Sequence, residues 1–358
     1  MKKIYYITAV FATLFLVGCG DGIDLPGVNV ETDLNKIPLP DNNVNLEQVE
    51  LKPSTKPMLH EGLHTEEDFQ RIRDKKAAGE EPWVSAYQLL VESQFSQKTA
   101  DTYPTEWIKR GVSGDENYMN AARGATIAYQ QALRWKIEQD DEYAAKAVEN
   151  LNKWVQTCVG VTGNTNLSLA AGLYGYEFAI AGELLRDYEG WDRADFAAFQ
   201  NWLLKVFYPA NDDFLKRHHD TNPLHYWANW CLCNIAAKMA IGIVTDRRDI
   251  YNEGIGHLQT GDTNGRLRRA IYHDYAPDYN FAQWQESGRD QGHTLMCVGL
   301  MGIICQLAWS QGDDFFAYDD NLFMRACEYA ACCNYTNETV PYTTYIWQKQ
   351  SQWGYPIP

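Results

Sequence analysis

Leu167-Ser-Leu-Ala-Ala-Gly-Leu-Tyr-Gly-Tyr-Glu-Phe-Ala-Ile-Ala-Gly-Glu-Leu-Leu185 is the stretch on which the fold turns. Ala170, Ala171, Gly172, Gly175, Ala179, Ala181 and Gly182 are small residues in a helical run. They let another backbone approach closely, which is the need of a helix packed among other helices. Helical periodicity extends outward in both directions, over roughly 117–137, 141–158, 168–187, 192–206, 222–244, 247–260, 284–310 and 320–334. Nearer the start, Thr65 followed by Glu66, Glu67 and Asp68 is a capped helix start, and Pro82 opens the next helix. Roughly ten helices with short Gly, Asp, Asn or Pro links and almost no period-2 runs make the chain all-α. Paired helices with such links predict α-hairpins arranged as a solenoid or an (α/α) toroid, incomplete or complete. No fixed-length repeat is present, which disfavours a regular repeat array.

The chain has 358 residues, 31 Lys+Arg against 47 Asp+Glu, and a net charge of −16. An acidic chain lacks the broad basic face that phosphate backbones require, so nucleic acid is excluded as a partner. The 12 Trp, 22 Tyr and 13 Phe supply many flat apolar faces, and Tyr and Trp add a polar edge suited to sugar rings.

Lys2 and Lys3 precede an apolar run from Ile4 to Val17, too short to span a membrane and the right length for an export signal. The run ends in Leu16-Val17-Gly18-Cys19, a lipobox pattern in which Cys19 is the lipidated residue. Residues 1–19 read as a lipoprotein signal peptide, 20–56 as a flexible tether rich in Asn, Asp, Pro and Val, and 57–358 as the folded domain. The expected location is the periplasmic or cell-surface side of an outer membrane, held there by the lipid alone. The other eight cysteines lie mostly in apolar helical stretches with no zinc spacing, and buried thiols are favoured over a bridge framework. No metal and no cofactor are expected.

Two stretches put polar residues where apolar ones are expected. In Thr221 to Cys231, Asn222, His225 and Asn229 stand at i, i+3 and i+7, with Tyr226 beside them and Trp230 near. In Trp284 to Leu295, Glu286, Arg289 and His293 have the same spacing, with Gln285 and Asp290 adjacent. A polar stripe on a buried helix is satisfied by core partners or by a ligand, and an internal pair of Arg289 with Glu286 or Asp290 is the structural alternative. Tyr174 and Tyr176 line a groove or pack. His218-His219-Asp220 reads as a solvated turn, with a metal-binding turn as the alternative; His60 and His64 read as capping or packing residues. Arg266, Arg268 and Arg269, with Lys216 and Arg217, read as a solvated face or as a rim attracting uronates.

The Leu-His-Thr-Glu-Glu-Asp run at 63–68, Ala171 to Tyr176, His225-Tyr226-Trp227-Ala228-Asn229-Trp230 and Gln285 to Thr294 resemble the alginate-lyase-like domain of helical-toroid polysaccharide lyases, over about 57–350. That family's Asn-Asn-His-x-Tyr-Trp is met here by Asn222 and Tyr226-Trp227, with Leu224 at the histidine position and His225 one place later. The family's tyrosine beyond its arginine has no direct counterpart after Arg289, where His293 stands.

The resemblance implies β-elimination on a 4-linked uronate polysaccharide. A base takes the C-5 proton, the carboxylate is neutralised, and an acid protonates the leaving oxygen. His225, Tyr226, Arg289 and His293 are the catalytic candidates; Asn222, Asn229, Trp230, Gln285, Glu286, Tyr174 and Tyr176 are the substrate-binding ones. A toroid glycoside hydrolase, using Glu286 or Asp290 with Glu177 or Glu183, and a non-catalytic glycan-binding lipoprotein are the alternatives.

Overall fold

The computed structural model describes residues 55–335 and 340–345; the signal peptide, Cys19 and nearly all of the tether lie outside them. The chain opens with α1 (Glu66–Ala77), where Thr65 and Asp68 form a reciprocal capping box, and α2 (Trp83–Glu92), with Pro82 at its N-cap. Four hairpins follow. These are α3 (Tyr118–Glu138) with α4 (Asp141–Thr157), α5 (Leu167–Leu184) with α6 (Arg193–Val206), α8 (Ala228–Val244) with α9 (Arg248–Thr260), and α11 (Gln291–Ser310) with α12 (Tyr318–Tyr335). The helix α7 (Tyr208–Arg217) and the single turn α10 (Leu267–Ala270) fill the links.

The first member of each hairpin belongs to an inner row, in which α3 packs on α5, α5 on α8 and α8 on α11. All of α5 is buried except Leu167 and Glu177, and all of α8 except Trp230. Helices buried on every side are apolar all round, and this is why these two segments show no polar stripe along most of their length. Asn234 of α8 donates to the carbonyl of Ser168 at the start of α5 (3.2 Å), and Arg186, just past the end of α5, donates to the carbonyls of Ile243 and Val244 (3.3 and 2.8 Å). The two helices therefore run parallel. The second member of each pair returns antiparallel outside, as shown by Gln131 with Asn150 (2.9 Å) across α3 and α4, and by Gly182 beneath Phe199 across α5 and α6. This is the (α/α) toroid expected from the sequence.

The small residues of α5 act as expected. A Cβ at Gly172 would stand 2.5 Å from the Cys233 Sγ and 3.0 Å from the Asn234 amide nitrogen, so α5 and α8 touch almost backbone to backbone there. Two small sheets cap the inner helices at their N-terminal end. β1 (Trp107–Arg110) pairs parallel with β2 (Gly160–Gly163), and β3 (Ile271–Asp274) pairs antiparallel with β4 (Ala282–Trp284). The apolar helix α11 is long enough to cross a membrane by length and composition, yet it packs against α8 and α12. All eight cysteines among the described residues are free thiols, five of them buried.

Two helix boundaries differ from the sequence reading, and both matter for the site. The helix expected over 222–244 begins at Ala228: Asn222 Oδ1 accepts the Leu224 amide (2.9 Å), Pro223 lacks a donor, and the turn closes through the His225 amide on the Asn222 carbonyl (2.9 Å). The helix expected over 284–310 begins at Gln291, because Trp284 ends β4, Gln285–Gly288 form one 3-10 turn, and Asp290 is the N-cap. Asn222, His225 and Asn229 thus share no helix face, nor do Glu286, Arg289 and His293.

Two measurements test this packing. Gly172→Ala must push Cys233 and the α8 backbone away, and is expected to cost about 1–3 kcal/mol in denaturant unfolding. Glu177 has an Oε2 sealed from solvent without a hydrogen-bond partner, and burial pushes its carboxyl up to about 8 against the Tyr176 hydrogen bond. The folded state holds this proton more tightly than the unfolded chain, so its contribution is intact below about pH 4.5 and is lost as the pH rises through about 8. Glu177→Gln should flatten the decline in stability between these values.

Candidate active site

The N-terminal ends of α8 and α11 are joined by a single buried carboxylate. Glu286 is fully buried; its Oε1 accepts the Asn229 amide (2.9 Å), the Asn229 Nδ2 (2.6 Å) and the Cys297 thiol (3.3 Å), while Oε2 accepts Arg289 Nη1 (2.9 Å). Beside it, Gln285 Oε1 accepts the Ala228 amide (2.8 Å). The first amides of α8, which have no partner within their own helix, are thereby capped by side chains nearly sixty residues away. A carboxylate at that positive helix end is favourable as well as bonded.

This anchor aims Arg289. Its guanidinium is partly exposed, sits 5.2 Å from the Trp227 ring and lies 3.9 Å from Asp290 Oδ2. Asp290 also accepts the His293 amide through Oδ1 (2.7 Å), and its Oδ2 meets His293 Nδ1 at 2.6 Å. Burial alone would raise the Asp290 carboxyl, but the His293 hydrogen bonds and Arg289 hold it below the usual range. An ionised Asp290 is an acceptor only, so the Nδ1 of His293 carries the hydrogen between them.

Tyr226 forms the second centre. Its ring lies 4.9 Å from His225, 5.7 Å from His219 and 4.7 Å from Trp230. His219 Nε2 meets Ser168 Oγ at 3.0 Å, and burial lowers its pKa, so it stays neutral at pH 7. His218, His219 and Asp220 have φ of 48°, 52° and 59°, a left-handed run that non-glycine residues enter at a cost. The expectation of a solvated turn fails for His218. It is buried against Phe214 (4.6 Å) and Cys231 Sγ (3.4 Å), and burial lowers its pKa to about 4.

A third contribution comes from the far end of the described chain. Residues 340–345 lie along the β3–β4 pair, with the Thr343 amide donating to Gln283 Oε1 (2.9 Å) and its carbonyl accepting Gln283 Nε2 (2.9 Å). This strap sets Tyr345 6.0 Å from Trp227, with its hydroxyl accepting Gln285 Nε2 (2.7 Å). Asn264 ties the loop to the same place by donating to the carbonyls of Leu224 (3.0 Å) and Tyr226 (2.8 Å).

The structure therefore gathers His225, Tyr226, Trp230, Arg289 and His293 around the ends of α8 and α11. Asn222 lies exposed on the adjoining turn. Asn229, Gln285 and Glu286 are buried and fully bonded, so the geometry gives them the work of holding Arg289 and Trp227 rather than of touching a ligand. Tyr174 and Tyr176 are buried in α5; Tyr174 stacks on Tyr118 at 6.5 Å, and Arg110 covers Tyr118 from 4.6 Å. Tyr345 was not singled out from the sequence, Trp227 entered there only as a motif match, and His219 only as part of a turn. Among the described residues no three His, Cys, Asp or Glu side chains are placed to hold a metal ion.

Residues 72–338 match the family model described as alginate lyase. The chain belongs to the alginate lyase family. It is accordingly a polysaccharide lyase. No curated protein matches it. Among solved structures, a histidine-to-alanine variant of alginate lyase A1-III complexed with tetrasaccharide is 13% identical, with 74% of this chain and 75% of that one covered, at a TM-score of 0.57. Alginate lyase A1-III from Sphingomonas species A1 is 13% identical over 79% of this chain and 81% of that one, at 0.55. An alginate lyase from Bacteroides ovatus is 14% identical over 75% and 81%, at 0.51. Likeness at this level of identity is likeness of fold.

In this alginate lyase family member, Glu286→Ala should leave the partly exposed Arg289 guanidinium without its partner and the buried Asn229 amide without an acceptor, costing about 2–4 kcal/mol in thermal or denaturant unfolding. Glu286→Gln keeps an acceptor for Asn229 and loses only the ion pair, so its loss should be smaller.

Proposed function

We propose that this lyase cleaves a 4-linked uronate-containing polysaccharide, alginate or a related polyuronate, by β-elimination at the Arg289 and Tyr226 centre. The observation that carries the reading is Arg289. A partly exposed guanidinium is pinned by the buried Glu286 and set against the face of Trp227, which directly follows the packed His225–Tyr226 pair in the chain.

In this reading Arg289 seats the carboxylate of the uronate being cleaved and draws charge from C-5 as the carbanion develops. His225 takes the C-5 proton, the electron pair forms the C-4 to C-5 double bond, and the C-4 to oxygen bond breaks. Tyr226 gives its proton to the departing oxygen. Trp230 and Trp227 offer faces for the sugar rings. One further argument supports elimination over hydrolysis. A hydrolase needs two available carboxyl groups, whereas Glu286 is fully engaged, Asp290 caps α11 and Glu183 pairs with Arg186 (2.8 Å), which leaves Glu177 alone of the four candidates. The leader ending at Cys19 supports action at a membrane surface reached through a lipid.

The test is ultraviolet absorbance over time on alginates, glucuronan, pectate and hyaluronan, since elimination creates a conjugated double bond. His225→Ala should lower kcat/KM by about a hundredfold or more with little change in Tm, and Arg289→Ala should lower it at least as much while also lowering Tm, because the buried Glu286 loses its partner. Full activity in both variants would refute the site, and new reducing ends without absorbance would refute elimination.

A further inference from the structure

The cation at the centre of the site is already half spent. Arg289 is paired with the buried Glu286 and lies close to Asp290, so little net positive charge is left to attract a polyanion in a protein of net charge −16. Of the neighbouring arginines, Arg268 is paired with Asp319. Arg269 is different: it is half-buried, it forms no ion pair among the described residues, and its Nε is sealed from solvent without an acceptor. The groups that face it are Arg266, Asp262 and Tyr345. Burial first, and then the Arg266 charge, press its pKa below the ordinary guanidinium value, but an arginine remains a cation at neutral pH. Burying an unpaired charge is costly, and an anion bound from outside would relieve that cost.

Its position is equally specific. Arg289 stands 5.2 Å from the Trp227 ring, Trp227 stands 6.0 Å from Tyr345, and the α10 turn that carries Arg269 packs on the Gln285–Gly288 turn, whose Gln285 holds the Tyr345 hydroxyl. Two guanidinium groups and two aromatic rings are therefore carried by neighbouring turns, the kinds of group that a chain with a carboxylate on every sugar would meet in succession. We propose that Arg269 is a substrate-binding residue that seats the carboxylate of a second uronate, across the Trp227–Tyr345 pair from the sugar held by Arg289. The assignment rests on the polyuronate lyase reading above. Arg269 takes no part in proton transfer, and its effect is on how tightly the polymer is held.

The experiment is steady-state kinetics of the purified protein and of Arg269→Gln and Arg269→Lys on whichever polyuronate the wild type cleaves, at low and moderate salt, with Tm measured for each. Arg269→Gln should raise KM about tenfold while kcat changes less than about twofold, as expected for the loss of one charge-assisted contact made equally in ground and transition states. Arg269→Lys should recover part of the loss, and KM should depend less steeply on salt in the glutamine variant. An active wild type whose KM is unmoved by Arg269→Gln would overturn the assignment while leaving the lyase reading intact. So would a fall in kcat and Tm together that lysine does not repair, because that pattern marks a structural role. A wild type that eliminates none of the polyuronates would overturn the lyase reading and this assignment with it.

Discussion

A single buried carboxylate governs the site. Glu286 has no exposure to water, and its stability in that position comes from four donors: two from Asn229, one from Cys297 and one from Arg289. Each of these ties down a different piece of chain. The Asn229 bonds fix where α8 begins, the thiol fixes the inner helix α11, and the guanidinium becomes the working face of the site. An ion pair of this kind adds little net stability compared with a hydrophobic substitute. Its value lies in geometry, because a guanidinium held on one edge by a fixed acceptor and on one face by Trp227 has few rotamers left to lose.

The helical frame makes this anchor possible. Because α5 and α8 are buried on nearly every side and run parallel, their N-terminal ends emerge together at one end of the toroid, where β1 to β4 and the connecting turns are gathered. Close approach at Gly172 brings the inner row tight enough for Ser168, at the start of α5, to reach His219. The outer helices carry the exposed charge, much of it in pairs three or four residues apart such as Lys216 with Asp212 and Arg217 with Asp213. Lys216 and Arg217 accordingly form a solvated face, whereas Arg266, Arg268 and Arg269 are partly buried.

The frame was largely legible in the sequence because its signals are local. The Thr65 cap, the small residues of α5 and the all-round apolar character of α8 each follow from contacts within a turn or two of helix. The site was legible in composition but not in geometry. Reading 222–244 and 284–310 as uninterrupted helices put Asn222, His225 and Asn229 on one face, and Glu286, Arg289 and His293 on another. In fact Pro223 and the Asn222 turn delay the first helix, and Asp290 delays the second. The residues still come together, for a reason that spacing does not encode: Gln285 and Glu286 cap α8 from a distant segment. Tyr345 carried no signal at all, since its place is set by hydrogen bonds between Thr343 and Gln283, sixty residues apart.

The strap has a consequence for how the enzyme matures. A chain is made from its N-terminus, and contacts between residues distant in sequence form late because their loops cost most to close. The inner row from α3 to α8 can pack while Val340 to Tyr345 has yet to be synthesised. Until that strap settles on β3 and β4, Gln285 lacks the Tyr345 hydroxyl and Trp227 lacks its neighbour. The inner row thus owes nothing to the strap, whereas the cleft is finished only when the strap is seated, so loosening residues 340–345 would spoil the cleft while leaving the helical frame intact.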